Sequence, residues 1–407
     1  MFDVKSVNDV IQIINNNFIG YPLENETVAL TDALGRILCA DVLAHEEIPG
    51  FNRSSVDGYA VISSDTFGAS ESLPAQLQLA GEIRMGEKPT VILQPGQAVY
   101  VPTGGELPAN ADSVIMIEYT EDYQDGFIYI NKSSAPGNNV IFKGDDVKIG
   151  DTVIKAGTVL RPQDIGAMAA MGYETISVKQ KVRVGVISTG DEIIAISEKP
   201  QGSQMRDTNS YALYAGLLKF GAVPTLYGIV KDNYDDIKAT VEKALHQSDV
   251  ILISGGSSVG TRDQSYKVIN ALGAPGILVH GIAVKPGKPT ILGKINGKAI
   301  FGLPGHPASA YTIFNIFVHH LLKVLTCMNN IPKTVVRVEM ARNYPSNNGR
   351  EEYLPVKLEE IDGKYVAYPV FGKSGLITML TAADGYVHIG RGCEGLDKGI
   401  QVDVILS

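Results

Sequence analysis

The chain has 407 residues, of which 44% are hydrophobic and 19% are charged. At about 150 residues per domain, this length predicts two to four domains with sizeable cores and argues against a mainly disordered chain. The 35 Lys and Arg residues stand against 44 Asp and Glu residues, and this formal net charge of −9 argues against bulk binding to nucleic acid or to an anionic membrane.

The cysteines and the apolar segments indicate the compartment. Cys39, Cys327 and Cys393 form neither a C-x-x-C pair nor a metal-ligand spacing, which is typical of a reducing compartment. The N-terminal residues lack the basic and apolar segments of a signal peptide, and polar residues interrupt the longest apolar stretch, 308–325. We therefore expect a cytoplasmic protein with no membrane span.

The first half of the chain alternates between helical and β-like patterns. Residues 1–44 are predicted to be helical, because apolar residues recur at helical spacing. Residues 45–140 contain short β-like runs between Gly, Pro and Asp clusters, which predicts a β-rich inserted domain. Residues 141–180 are mixed, with a helix at 162–171 that a proline opens. We group 1–44 with 141–180 as a linking or dimerisation domain.

The second half predicts two further domains. In 181–329, apolar strands alternate with amphipathic helices, which predicts a three-layer α/β domain with a mainly parallel sheet. Residues 330–407 contain short alternating strands and predict a small β-barrel. The fold class is therefore multidomain α/β plus β.

Polar or glycine-rich segments follow five predicted strands of the α/β domain. These segments are 188–192, 231–233, 254–260, 285–289 and 303–307. Open α/β sheets bind ligands at the carboxyl ends of their strands. Five such ends at one edge predict a site for a polar, phosphorylated ligand.

The loop at 254–260 has the composition of an anion cradle. It offers successive backbone N–H groups without bulky side chains, followed by a helix N-terminus. Asp263 comes three residues after Gly260 and is a candidate ligand for a divalent cation beside the phosphate. A tight turn without a ligand is the alternative interpretation.

Two lysines and three carboxylates complete the candidate site. Lys285 and Lys288 lie three residues apart on a stiff Pro-Gly turn, which suits an oxyanion. Asp191, Glu192 and Asp232 are candidates for binding Mg²⁺ or orienting a water, although Asp232 or Asn233 can instead cap the next helix.

A serine hydrolase is a rival interpretation. Residues 256–260 match G-x-S-x-G, with Ser258 as nucleophile, and Asp263 and His306 follow in the sequence. A nucleophile elbow places its serine directly on the strand-to-helix turn, whereas 254–257 intervene here. We interpret His306, between two prolines, as a rigid turn residue at a helix N-terminus.

Together these segments resemble the MoeA/gephyrin E-domain family, the molybdopterin molybdenumtransferases. The resemblance covers essentially the whole chain, and its motifs are PGFNRSSVDGYAV, VPTGGELPANADSVIMIE, KGDDVKIGD, STGDEI, the D-T-N-S stretch at 207–210, ISGGSSVGTRD, VKPGKP, GLPGHPASA, GREEY and KSG.

The resemblance implies a Mg²⁺-dependent reaction in which molybdate is inserted into adenylylated molybdopterin and AMP is released. It assigns substrate contacts to Thr189, Asp207, Ser254, Gly255, Gly256, Ser257, Pro304 and Gly305. It assigns molybdate contacts to Ser258, Lys285, Lys288, Arg350 and Ser374, and metal contacts to Asp191, Glu192 and Asp263. The implied catalytic residues are Asp57, Thr103, Asp146, Glu192, Asp232 and Asp263.

The resemblance also implies an elongated homodimer, in which Asp57, Thr103 and Asp146 reach into the partner's cleft. Transient contacts with the molybdopterin adenylyltransferase and with apo-molybdoenzymes are expected. Three alternatives stay open at this point: an adenylyltransferase, a nucleotide pyrophosphatase on the same fold, and a non-catalytic scaffold dimer.

Overall fold

A computed structural model describes residues 4–255, 264–329 and 334–406. Within these ranges, no helix is long and apolar enough to cross a membrane.

The N-terminal segment is helical only in part. Helix α1, Val7–Phe18, begins at Ser6, whose hydroxyl accepts a hydrogen bond from the Asp9 N–H at 3.1 Å while the Asp9 carboxylate accepts one from the Ser6 N–H. Beyond α1, the prediction of helix through residue 44 is confirmed only for a single 3-10 turn at Leu30–Asp32 and is wrong elsewhere. Strands β1 (Asn25–Ala29) and β2 (Val42–Leu43) form there, because each pairs with a strand more than a hundred residues later (about 110 to 150) in the chain.

The β-rich character predicted for 45–140 is confirmed, and six strands of this region form one sheet. Its strands lie in the order β7-β4-β6-β5-β9-β8. A side chain at Gly58 would lie 1.9 Å from the Ile115 carbonyl oxygen, so only glycine allows β4 to approach β7 there. The strands of this region are β3 (Arg53–Ser54), β4 (Gly58–Val61), β5 (Ala75–Glu82), β6 (Gln97–Val101), β7 (Ser113–Met116), β8 (Thr120–Asp122) and β9 (Phe127–Ile130).

The following segment returns to the N-terminal strands. It contains β10 (Val140–Ile141), β11 (Thr152–Ile154), α2 (Pro162–Ala170) and β12 (Thr175–Lys179). Strand β12 pairs with β1, β11 with β2, and β10 with β3, all antiparallel. The first two of these pairings border a separate small core that includes Leu38, Leu160 and Met168.

The α/β region has the predicted mainly parallel sheet, and the structure adds two antiparallel pairings at one side. The strand order is β16-β13-β17-β21-β20-β18; the first three pairings are parallel and the last two antiparallel. The elements are β13 (Arg183–Thr189), β14 (Ile193–Ile194), β15 (Met205–Arg206), α3 (Asn209–Phe220), β16 (Val223–Val230), α4 (Tyr234–Gln247), β17 (Val250–Ser254), α5 (Gln264–Ala271), β18 (Pro275–His280), β19 (Val284–Lys285), β20 (Ile291–Ile295), β21 (Lys298–Leu303), α6 (Pro307–Ile313) and α7 (His319–Leu325), with a π-helical segment Phe314–Val318 joining the last two helices.

Helices cover both faces of this sheet. One core cluster joins the sheet to α1, α3, α6 and α7, and the other joins it to α4 and α5. The sheet is therefore the middle of three layers, and the buried residues of α1, including Val10 and Ile14, belong to the first of these cores.

The C-terminal region closes into a five-stranded barrel. Strand β26 pairs with both β28 and β24, which completes the ring β24-β25-β22-β28-β26. Its elements are β22 (Val335–Met340), β23 (Tyr344–Pro345), β24 (Glu351–Ile361), β25 (Lys364–Pro369), α8 (Thr378–Thr381), β26 (Gly385–Ile389), β27 (Gly395–Leu396) and β28 (Gln401–Leu406).

One predicted strand divides into two. The apolar run 276–284 does not continue as a single strand, because the chain changes direction at Gly281, whose φ is +96°. Strand β18 is an antiparallel edge of the α/β sheet, whereas β19 pairs in parallel with β24 of the barrel. The segment 285–289 therefore does not follow a parallel strand of the α/β sheet.

Candidate functional site

A cavity of about 880 Å³ lies between the α/β sheet and the barrel. The α/β region contributes the ends of its parallel strands, and the barrel contributes the start of β24 and the loop before α8. Of the sequence-predicted residues, this cavity brings together Glu192, Asp232, Gly255, Lys285, Lys288, Pro304, Gly305, Arg350 and Ser374.

The floor of the cavity is built where three parallel strands end. Gly255, directly after β17, has φ +106°, and a side chain there would lie 2.1 Å from the Thr189 carbonyl oxygen at the end of β13. The Gly255 N–H donates to the Leu303 carbonyl of β21 at 3.2 Å. Glycine at this position allows the three strand ends to meet.

Asn209 joins two of these strand ends and was missed as a site residue. Its side-chain amide donates to the Ser254 hydroxyl and to the Gly305 carbonyl, both at 2.8 Å. Its presence in the D-T-N-S stretch was the available signal, since a side-chain amide supplies two donors.

Three predicted substrate residues are buried behind the cavity wall instead of lining it. Asp207 accepts a hydrogen bond from the Ser210 N–H at 3.1 Å, which satisfies the first turn of α3. Ser254 is the acceptor for Asn209, as described above. Thr189 is 3% exposed, and its hydroxyl has no hydrogen-bond partner among the residues that the structure describes.

Acidic groups lie on the α/β side of the cavity. The Asp232 N–H donates to an Asp191 carboxylate oxygen at 3.2 Å. Partial burial, the Asp191 charge and the Glu192 charge together raise the pKa of Asp232 above its ordinary value of 3.8. Asn233 caps α4 by accepting from the Asp236 N–H, so Asp232 is not used as the cap.

The predicted magnesium ligands are only partly described. In the ranges 4–255, 264–329 and 334–406, no three His, Cys, Asp or Glu residues are arranged to hold a metal ion. Asp263 lies outside the described residues, as do Gly256, Ser257 and Ser258. The magnesium site stays a prediction.

On the opposite side, Lys285 is paired with a carboxylate that sequence reasoning missed. The Lys285 Nζ lies 2.9 Å from Glu352 Oε1. Buried and half-buried residues alternate along the start of β24, and Glu352 lies on the same buried face as Leu354 and Val356. A carboxylate at a strand position that otherwise faces the core needs a partner. The position of Glu352 in the alternating pattern was therefore the available signal in the sequence.

Ser374 is held against the start of α6. Its hydroxyl lies 2.9 Å from His306 Nδ1, and its carbonyl accepts from the Ala308 N–H at 3.1 Å. His306 directly precedes α6, with Pro307 at the first helical position, as the sequence predicts.

Asp57, Thr103 and Asp146 do not line this cavity. The Thr103 N–H donates to the Asp57 carboxylate at 2.8 Å, so these two are neighbours, and all three residues are exposed. Their implied role in a partner's cleft stays a prediction.

Known proteins match the chain along nearly its whole length. The model of the MoeA N-terminal region (domain I and II) matches residues 5–172, a probable molybdopterin binding domain matches 185–324, and the MoeA C-terminal region (domain IV) matches 337–407. A putative molybdopterin biosynthesis protein from Methanocaldococcus jannaschii is 34% identical, covering 100% of this chain and 98% of that protein. The chain belongs to the MoeA family.

Two further relatives agree with this membership. A molybdopterin molybdenumtransferase from Bacillus subtilis is 31% identical over 94% of this chain and 90% of its own length. The crystal structure of a molybdopterin biosynthesis MoeA protein from Pyrococcus horikoshii superposes with a TM-score of 0.87 at 32% identity, covering 100% of both chains.

Proposed function

We propose that this MoeA-family chain is a molybdopterin molybdenumtransferase that inserts molybdate into adenylylated molybdopterin. The observation that carries the proposal is a single cavity with cations on one wall and carboxylates on another. Lys285 and Lys288 lie at and just after β19, Arg350 lies just before β24, with which β19 pairs, and Glu192 and Asp232 lie beyond the strand ends. A tetrahedral dianion needs converging cationic donors, and an anhydride needs groups that manage its developing charge.

The floor of the cavity fits the nucleotide end of the substrate. Gly255 and Gly305 bring backbone close to the ligand space without side chains between, which suits phosphate groups. Molybdate would bind at the lysine and arginine wall, beside Ser374. Water then attacks a phosphorus of the anhydride, its P–O bond breaks, and AMP leaves while the pterin keeps its terminal phosphate.

The acidic wall fits a magnesium ion. Partial burial, followed by repulsion from Asp191 and Glu192, raises the pKa of Asp232, and a bound divalent cation would relieve that repulsion. Glu192 and Asp232 would each supply carboxylate oxygens to the ion, and Asp263, a further predicted ligand, lies outside the described residues. The ion would neutralise charge on the phosphate oxygens of the anhydride.

The test measures AMP release from adenylylated molybdopterin with Mg²⁺, with and without low micromolar molybdate. We expect molybdate to stimulate release and active cofactor to form. Release that is indifferent to molybdate would indicate a pyrophosphatase, whereas release of pyrophosphate from ATP with molybdopterin would indicate an adenylyltransferase. Absence of all these reactions would favour the scaffold.

The Lys285→Ala variant tests whether molybdate and nucleotide bind to different parts of the cavity. We expect this variant to weaken molybdate use by about tenfold or more, because a charge-assisted hydrogen bond is lost, while nucleotide binding changes little. Lys357→Ala is the control, since Lys357 pairs with Glu359 along β24 and does not line the cavity. Equal losses of molybdate and nucleotide affinity in Lys285→Ala would contradict the assignment.

A further inference from the structure

A buried carboxylate lies at the entrance of the barrel, against the lysine wall of the cavity. Glu352 is 3% exposed and points to the same side of β24 as the core residues Leu354 and Val356. Burying a carboxylate among apolar groups is unfavourable unless donors surround it. The contacts of Glu352 therefore define what it does.

Three donors occupy the two oxygens of Glu352. Oε1 accepts from the Tyr344 hydroxyl at 2.7 Å and lies 2.9 Å from the Lys285 Nζ. Oε2 accepts from the Ser346 hydroxyl. With both oxygens engaged from different elements, the carboxylate is fixed in position, and so is the ammonium group that it contacts.

The backbone places Lys285 and Glu352 opposite each other. Strands β19 and β24 pair in parallel, and their register aligns Lys285 with Glu352. The Glu351 N–H donates to the Ala283 carbonyl at 2.9 Å and continues this ladder. The ion pair thus links a turn of the α/β region to the first residues of the barrel.

We propose that Glu352 is a positioning residue, which orients the Lys285 ammonium toward the oxyanion; this inference rests on the proposed function. A lysine is a point charge on a flexible four-carbon stem, and ordering it on ligand binding costs affinity. One N–H directed at Glu352 leaves two for the cavity, where the side chain of Lys285 is 37% exposed. Glu352 itself does not bind the oxyanion, because both are negatively charged.

The first test is molybdate binding to Glu352→Gln by isothermal titration calorimetry. We expect affinity to fall about tenfold, and the KM for molybdate to rise similarly with little change in nucleotide affinity, because the anchor of Lys285 is weakened. If Glu352 acted only as a repulsive charge, its removal would tighten molybdate binding. Unchanged or tighter binding overturns the proposal.

The neighbouring residue supplies a matched control. Glu351 pairs with His388 at 2.8 Å and does not line the cavity. Glu351→Gln removes the same charge one residue away, and we expect it to leave molybdate affinity unchanged. Equal effects of the two variants would mean that net charge alone decides affinity, which also overturns the proposal.

A double-mutant cycle tests whether Glu352 acts through Lys285. In the Lys285→Ala background, Glu352→Gln should cause no further loss of molybdate affinity. Independent, additive losses would show that Glu352 works by another route. Tyr344→Phe removes one donor while keeping the ring, so it reports on the same network if Glu352→Gln folds poorly; we expect about a threefold loss of affinity.

The binding measurement separates this inference from the proposed function. If the native chain binds molybdate and the variants behave as expected while AMP release ignores molybdate, the proposed reaction fails and the role of Glu352 stands. If the native chain binds no molybdate, either alone or with AMP present, both fail.

Discussion

Gly255 is the residue on which the geometry of the cavity floor depends. Its φ of +106° lies in the region that favours glycine, and its α-carbon approaches the backbone of β13. Backbone cannot move aside as a flexible side chain can. The close approach of two strand ends, and not the turn alone, therefore demands glycine here.

We expect Gly255→Ala to lower the free energy of unfolding by about 3 kcal/mol and to abolish AMP release, since it adds backbone strain and a clash with Thr189. Gly221→Ala is the control, because Gly221 has φ +89° but open space around it. Urea unfolding of both variants measures the difference. Similar losses in the two would show that φ, and not the contact, sets the cost.

Asp232 illustrates a functional group that opposes folding. Partial burial, Asp191 and Glu192 raise its pKa above 3.8, so the folded protein holds this proton more tightly than the unfolded chain does. Stability from this group therefore falls as pH rises from the unfolded pKa through the raised folded pKa. At neutral pH without magnesium, the charged Asp232 destabilises the fold.

We expect Asp232→Asn to raise the free energy of unfolding at pH 7 in the absence of Mg²⁺, and to have little effect well below pH 3.8. The same variant should lose AMP release. Urea unfolding at the two pH values checks the first expectation, with the exposed Glu360→Gln as control. A pH-independent change would contradict ionisation of the partly buried Asp232 as the source of the effect.

At the scale of elements, the carboxyl and amino ends of the parallel strands in the α/β sheet have different roles. The carboxyl ends of the parallel strands line the cavity, whereas an ion pair joins two of these strands at their amino ends. There the Arg183 guanidinium, at the start of β13, donates to Asp249 at 3.0 and 3.2 Å, and the Arg183 N–H donates to the same carboxylate. Tyr21, which follows α1, donates its hydroxyl to Asp249.

Burial alone would raise the pKa of Asp249, but the hydrogen bonds from Arg183 outweigh it, and the pKa is lowered. We expect Arg183→Met to cost about 1–3 kcal/mol of unfolding free energy at neutral pH, because Asp249 is 5% exposed and loses its charged partner. The cost should vanish as pH falls through the folded pKa, since the carboxyl is then protonated. Urea unfolding of both variants measures the cost, with Arg337→Met, at an exposed strand position, as the control. A loss of unfolding free energy that persists in acid would contradict the ion pair as its source.

At the scale of the whole molecule, the predicted catalytic residues lie in two separate places. Asp57 and Thr103 are neighbours on the β-rich region, while the lysines and strand ends meet in the cavity between the α/β region and the barrel. If two copies share their sites, each active centre takes Asp57 from one copy and Lys285 from the other.

Mixing two impaired variants, at a molybdate concentration too low for the Lys285→Ala variant alone, tests this arrangement. Asp57→Asn and Lys285→Ala, unfolded and refolded together in equal amounts, should recover about a quarter of the native AMP release, because half of the dimers are mixed and one of their two centres is intact. Each variant refolded alone serves as the control. No recovery in a mixture that demonstrably forms mixed dimers would place both residues in one chain's site.

The local patterns of the chain predicted many elements. Helices α2 and α4 follow from Pro162 and Asn233 at their starts, together with apolar periodicity, and the barrel strands follow from alternation. The prediction failed for the strands at 25–29 and 42–43 and for the continuity of 276–284, where the partner of each strand is distant in the sequence. Apolar patterns with a period of two or 3.6 residues indicate which face of an element is buried. They do not identify the strand with which a segment pairs.

The sequence by itself determined the fold class, the family and the residue types at the strand ends, because these depend on local periodicity and on motifs in a defined order. Only the tertiary structure decided which of those residues share a cavity, that Asn209 joins Ser254 to Gly305, and that Lys285 is held by Glu352. The contacts of Asn209 join residues 45 and 96 positions apart, and all of these contacts depend on how α3 packs against the strand ends and how β19 pairs with β24.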